Sequence, residues 1–176
     1  MNRPAKSVSR KNRSTRSTDS GLCLYIDGAA RGNPGPAGAG VLLADSKGRS
    51  LREISVYLGE ATNNVAETIA LIIGLQEALR LGARKIAVFT DSELLARQVT
   101  GEYRVKDRQL GWLHAVIRNG VEAFDGFEIT HLPREQNKRA DRLANRAVDD
   151  GLKRNPGASR RSSPEVETPG QPSLFG

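Results

Sequence analysis

The sequence predicts an α/β domain with a mixed five-stranded sheet and helices packed on both faces. Apolar runs and helical patterns follow one another in the order β-β-β-α-β-α-α-β-α. Residues 22–26 form a continuous apolar run, which suits a central strand buried on both faces. The longest helical pattern, residues 64–81, is apolar nearly all round near its start, as a helix pressed against a sheet must be.

The first strand runs up to Asp27-Gly28 and gives way to the turn-rich Arg31-Gly32-Asn33-Pro34-Gly35-Pro36. Residues 38–44 and 51–58 read as two strands of a hairpin, because Asp45-Ser46-Lys47-Gly48 between them is turn chemistry. Thr62-Asn63-Asn64 supplies cap candidates for the long helix, which stops at Gly82. Residues 85–89 are another buried strand, ending at Thr90-Asp91, and a short helix covers 92–99. Residues 110–124 are helical, 127–132 form a short strand closed by Pro133, and 137–148 form the last helix.

The chain has 176 residues, enough for one domain with a real core. The ordered domain is expected at residues 21–150, between tails at 1–20 and 151–176 that are rich in Ser, Arg, Pro and Gly and read as disordered. No run is long and apolar enough to span a bilayer, and the first twenty residues hold no signal-like apolar core, so a cytoplasmic protein without membrane attachment is expected. The single cysteine, Cys23, excludes an internal disulfide and a cysteine-built metal site, and its place in the first strand predicts a buried thiol. The net charge is +7, yet residues 21–150 carry 17 basic and 17 acidic side chains. All the excess is therefore in the tails, either as a solubilising charge or as non-specific attraction to nucleic acid.

Four acids stand out by position. Asp27 and Asp91 follow apolar strands, at the strand ends where ligands of α/β sheets gather. Glu67 shares a helix face with Leu71, Leu75 and Ala78, and a carboxylate losing its hydration there needs a cation or donors. Asp141 lies inside the last helix. Should the four converge, a hard divalent ion such as Mg²⁺ offsets their repulsion, and a pair of such ions serves phosphodiester chemistry. Spacing does not establish that convergence, and a turn, a cap or a surface acid explains each one alone.

Four segments together resemble type 1 ribonuclease H: Asp27-Gly28-Ala29-Ala30-Arg31-Gly32-Asn33-Pro34-Gly35-Pro36, Thr62-Asn63-Asn64-Val65-Ala66-Glu67, Thr90-Asp91-Ser92 and Asn137-Lys138-Arg139-Ala140-Asp141. The resemblance covers about residues 21–150 and implies the ribonuclease H-like fold. It implies an endoribonuclease that cuts the RNA strand of RNA–DNA hybrids and leaves 5′-phosphate and 3′-hydroxyl ends. Asp27, Glu67, Asp91 and Asp141 are then the catalytic quartet and metal ligands for two Mg²⁺, with Mn²⁺ as a substitute. Gly28, Asn33, Asn63 and Asn64 are candidate contacts to the hybrid and Thr62 to a DNA phosphate, although Asn63 and Asn64 equally suit helix capping. The stretch His131-Leu132-Pro133-Arg134-Glu135-Gln136-Asn137 lacks the glycine-histidine loop of many members and resembles a variant branch with a P-R-E-x-N segment. Glu93 stands where a neutral Gln is common, and Tyr103-Arg104-Val105-Lys106 is a remnant of a basic protrusion, with Trp112 expected in the core beneath it.

The chain ends in Gln171-Pro172-Ser173-Leu174-Phe175-Gly176. Leu174-Phe175 is an apolar pair in a polar tail, either a sticky end that folds back or, with Gln171, a motif similar to the Q-x-x-L-F peptide that binds the DNA sliding clamp. The alternative function is a non-catalytic hybrid-binding or clamp-associated adaptor. That reading predicts loss of at least one acid, whereas all four are present. The expected oligomeric state is a monomer.

Overall fold

The computed structural model describes residues 21–155. The expectations for residues 1–20 and for the C-terminal end, including Gln171, Leu174 and Phe175, lie outside the described residues. Ten elements follow in order: β1 (Leu22–Ala30), β2 (Gly35–Ala44), β3 (Ser50–Ala61), α1 (Asn63–Arg80), β4 (Lys85–Thr90), α2 (Glu93–Val99), α3 (Arg108–Val121), β5 (Gly126–His131), a 3₁₀ turn (Arg134–Gln136) and α4 (Lys138–Arg154). The strands form one sheet in the order β3-β2-β1-β4-β5. β1, β2 and β3 pair antiparallel, while β1, β4 and β5 pair parallel, so the sheet is mixed as expected.

Alternation along β1 and β2 assigns the two faces. Leu24, Ile26, Val41 and Leu43 point into the main core beneath α1, where Leu71 and Leu75 meet them. The opposite face receives α4. A side chain at Gly38 would meet Ala147, and one at Gly40 would run into the backbone of Ala140 and Ala144, so these two glycines let the helix lie directly on β2. The hairpin turn forms as its residues require: the Asp45 carboxylate accepts from the Lys47 and Arg49 amides at 3.0 and 2.9 Å, and Gly48 takes a φ of 77°.

Four expectations need correction. β1 does not stop at Asp27 but continues to Ala30, because β2 goes on pairing with it after its parallel partner β4 has ended at Thr90. β1 is also not buried on both faces throughout. Cys23 and Tyr25 are half-buried because α4 covers only the later part of the strand, so the expected buried thiol is partly open. Burial still raises the pKa of the Cys23 thiol. Trp112 is not in the core: it is 69% exposed. Leu110, His114 and Ile117 are the buried positions of α3, and Trp112 lies two residues from Leu110, on the far side of the helix beside exposed Val116. The last helix runs to Arg154, beyond the expected end at 148 and the expected domain boundary at 150. Among the described residues no helix is long and apolar enough to cross a membrane.

Candidate active site

The site lies where the parallel pairing of β1 with β4 ends. The last parallel register pair is Ile26 with Thr90, so the next residues, Asp27 and Asp91, emerge side by side from adjacent strands. Asp27 remains paired with Gly40 on the face that α4 covers, and is only 7% exposed.

Glu67 reaches the same place because of Gly28. A side chain on Gly28 would collide with the backbone of Ala66 and Glu67, so α1 crosses β1 in direct backbone contact at this residue. Thr62 caps α1 by accepting from the Val65 amide at 3.3 Å. The Asn63 side chain then donates to Glu67 Oε1 at 2.9 Å, while the Asn63 amide donates to Asn33 Oδ1 at 3.0 Å. The turn after β1, the start of α1 and the acid are thereby tied into one unit. Asp141 comes from the first turn of α4.

All four predicted acids line one cleft of about 270 Å³, together with Gly28, Ala29, Ala30, Arg31, Asn63, Arg134 and Asn145. Of the predicted substrate contacts, Gly28 and Asn63 line it directly. Asn33 touches it through Asn63, and Thr62 and Asn64 flank it at the helix start. Glu93 is turned away into an exposed ion pair with Arg97 at 2.8 Å.

Three supporting residues were missed by sequence reasoning. Asn137, buried to 1% exposure, donates from Nδ2 to both Asp91 Oδ1 and the Ile26 carbonyl at 2.8 Å. It begins α4 without capping it through its side chain, which is spent instead on holding Asp91 against β1. Ser92 caps α2 and also hydrogen-bonds to Glu67, lowering its pKa. Arg134 donates to Asp141 Oδ1 at 2.6 Å from the mouth of the cleft. A signal for Asn137 existed in its place four residues before Asp141; nothing in the sequence pointed to Ser92 or Arg134 as partners.

The electrostatics are those of crowded, desolvated carboxylates. Burial, then the charges of Asp91, Asp141 and Glu67, push Asp27 up to about 8. Burial, with a further push from Asp91, raises Glu67 to about 7 despite hydrogen bonds from Ser92 and Asn63. Among the described residues no three His, Cys, Asp or Glu side chains already stand as a metal ligand set. Three of the four acids are held by side chains of their own neighbours: Asp91 by Asn137, Glu67 by Asn63 and Ser92, and Asp141 by Arg134. The donor set nevertheless fits a hard divalent cation, since it offers only oxygen ligands and its raised pKa values mark a surplus of negative charge.

These shifts set a pH dependence. Acids whose folded pKa lies above the unfolded value stabilise the fold at low pH, and that stability is lost as pH rises through the folded pKa. With the Asp27 carboxyl raised from 3.8 to about 8 and that of Glu67 from 4.5 to about 7, the melting temperature of the metal-free protein falls as pH rises from about 5 to about 8 and levels off above that. The buried His114, shifted down from 6.5 by desolvation and then by Arg118, works in the opposite direction below that value and flattens the acid end of the fall. Mg²⁺ removes the fall, because a cation that binds the ionised carboxylates stabilises the folded state by linkage. Calorimetric scans at about pH 5, 6.5 and 8 with chelator and with Mg²⁺ read this directly; identical flat profiles would contradict the crowding.

Comparison with known proteins agrees with this fold. A family described as reverse transcriptase-like matches residues 25–147. Ribonuclease HI of Halobacterium salinarum is 44% identical over 126 residues, covering 72% of this chain. The alignment spans 63% of that relative's length. The crystal structure of RNase H1 from the same archaeon matches 73% of this chain and 98% of that one, with a TM-score of 0.72 and 43% identity. Ribonuclease H of Methylococcus capsulatus is 35% identical over 151 residues, covering 77% of this chain and 94% of its own. LC11-RNase H1, isolated from compost and solved in complex with RNA/DNA hybrid, matches 74% of this chain and 99% of its own, with a TM-score of 0.71 and 45% identity. With its ribonuclease H fold and four acids in one cleft, the chain belongs to the type 1 ribonuclease H family of enzymes.

Proposed function

We propose that this protein is an endoribonuclease that hydrolyses the RNA strand of RNA–DNA hybrids with two divalent ions, Mg²⁺ in the first place and Mn²⁺ as a substitute. The observation that carries the reading is the meeting of Asp27, Glu67, Asp91 and Asp141, from four separate elements, in one polar cleft. Relatives named ribonuclease H or HI and a relative solved with RNA/DNA hybrid support it. When bound, hard divalent ions activate a water and steady the charge on the phosphate and leaving oxygen. The water oxygen forms a bond to phosphorus as the P–O3′ bond breaks, and one of the water's protons ends on O3′. The fragments carry a 5′-phosphate and a 3′-hydroxyl.

The chain's own residues orient this reaction. Asn137 and the Asn63–Ser92 pair fix the directions of Asp91 and Glu67. The Gly28 backbone and Glu67 read the 2′-hydroxyl that separates RNA from DNA. Asn33, Asn63 and Asn64 contact the hybrid, and Thr62 a DNA phosphate, on the side of the cleft where α1 begins. Arg134 holds Asp141 and supplies a positive charge at the cleft mouth, in the P-R-E-x-N segment that lacks the loop histidine. The test is incubation with RNA–DNA hybrid, double-stranded RNA and single-stranded RNA, each with and without Mg²⁺. Cleavage of hybrid alone, and only with the metal, is the expected result; a protein that binds hybrid and cuts nothing is the adaptor instead.

The same reading places the protein in the cytoplasm as a monomer, tethered through its C-terminus to the DNA sliding clamp. Gln171 serves the rim of the clamp's pocket and Leu174 and Phe175 fill it, while the preceding tail provides reach and raises the effective concentration. The peptide contact alone is weak, on the order of micromolar, because the segment loses entropy on ordering. Calorimetry against the clamp of the same organism gives binding for the wild-type protein and none for Leu174→Ala/Phe175→Ala. Equal binding by both, or by neither, removes the clamp and leaves the nuclease reading intact.

A further inference from the structure

We propose that the outward face of α4 is a second binding track, for the phosphodiester backbone of nucleic acid that extends past the cleft. The proposal rests on the hybrid-nuclease reading and assigns it a surface. Lys138, Arg142 and Arg146 recur every four residues on α4, so they form one stripe about 12 Å long on the helix surface. All three are exposed, and none has an ion-pair partner among the described residues. The buried face of the helix is Ala140, Leu143, Ala144, Ala147, Val148 and Gly151, which directs the stripe into solvent. Asp141, on the flank between the two, belongs to the cleft. The track therefore passes beside a catalytic acid, with Lys138 before Asp141 and Arg142 and Arg146 after it.

Three physical points favour a polyanion as the occupant. First, residues 21–150 balance 17 basic against 17 acidic side chains, but the cleft takes four of the acids and only two of the cations, Arg31 and Arg134. The remaining surface is therefore net positive, although the domain as a whole is neutral. Second, the acids nearest the stripe are engaged elsewhere: Asp149 pairs with Arg31 at 3.2 Å, Asp150 with Lys153 at 3.6 Å, and Glu53 with Arg139. Glu135, in the 3₁₀ turn, is the one nearby acid without an ion pair among the described residues. Third, Lys138 opens the helix and Arg142 follows one turn later, at the end where the macrodipole is positive and a cation is disfavoured by roughly 0.3–1 kcal/mol. Cations kept against the local electrostatics and left unpaired are suited to a partner that brings its own negative charge in a row. A nucleic-acid strand leaving the cleft past Asp141 meets that requirement, and releasing its counterions drives the contact.

The experiment compares two charge-matched pairs in the full-length protein. Arg142→Gln/Arg146→Gln removes two steps of the stripe. Lys47→Gln/Lys85→Gln removes two exposed cations without an ion-pair partner among the described residues, at the opposite end of the sheet. Fluorescence anisotropy of labelled RNA–DNA hybrid in chelator, from 50 to 300 mM salt, gives the slope of log affinity against log salt. The α4 pair reduces that slope by about 2 and weakens binding at least about tenfold near 150 mM salt, whereas the control pair changes either value by less than half as much. In Mg²⁺ the α4 pair raises KM for hybrid and leaves kcat within twofold. Equal effects of the two pairs, or none from the α4 pair, overturn the track. Failure of the wild-type protein to cleave hybrid overturns the nuclease reading instead, and the anisotropy slopes still decide the track.

Discussion

Asp27→Asn lowers hybrid cleavage by at least about 10³-fold at saturating Mg²⁺, about 4 kcal/mol of transition-state stabilisation, and makes the metal-free protein more stable at high pH. The two effects have one cause. Asp27 is the most buried of the four acids, and that burial, followed by the charges of Asp91, Asp141 and Glu67, raises its pKa to about 8. The amide keeps the shape of the side chain but removes a charge and an oxygen ligand. Catalysis loses a group that acts on the reacting phosphate, while the folded state loses an ionisation it resists. The metal-free variant therefore melts with a flatter pH profile, on the order of 2 kcal/mol more stable than wild type at pH 9. Cleavage assays and thermal melts on the same preparations check both. A variant that is inactive and also less stable at pH 9 points to a damaged fold rather than a missing ligand.

Gly28→Ala costs about 3 kcal/mol of stability and nearly all activity, although it adds one methyl group. The added carbon runs into the backbone of Ala66 and Glu67, and backbone inside a helix cannot rotate away as a side chain can. Either α1 moves off β1 or β1 bends, and both displace Glu67 from Asp27. The equivalent change at Gly48, where nothing lies within 4 Å but φ is 77°, strains only a turn and leaves the active site in place. Urea denaturation and hybrid cleavage of the two variants separate these cases. Wild-type stability in Gly28→Ala would show that the helix and strand do not touch as described.

Much of this was legible beforehand, for reasons that differ by element. β4 and the hairpin of β2 and β3 are local patterns, apolar runs separated by turn residues, and their ends fell within a few residues of the structure. The four acids were legible as candidates because strand ends and a carboxylate on an apolar helix face are local signals. Their convergence was not, since it depends on Gly28, Gly38 and Gly40 letting two helices approach the sheet, and a glycine in a strand reads only as a weak spot. Trp112 misled for the opposite reason: size and apolarity suggested the core, but the spacing of Leu110, His114 and Ile117 puts it on the solvent side. Half-burial of Cys23 depended on where α4 ends its cover of β1, which no residue near Cys23 encodes. Asn137 stood in the sequence only as the first residue of the segment that ends at Asp141, and its bond to Asp91 spans 46 residues of sequence.

The central claim is that the four carboxylates are one hydrolytic centre. The most direct measurement is single-turnover cleavage of a labelled RNA–DNA hybrid at saturating Mg²⁺ by Asp27→Asn, by Asp91→Asn and by the double variant. Residues that act as a unit are strongly non-additive. The double variant is therefore expected to be no slower than either single variant, each already at least about 10³-fold below wild type. Single variants that keep near wild-type rates, or losses that multiply in the double variant, would contradict a single centre built from these acids.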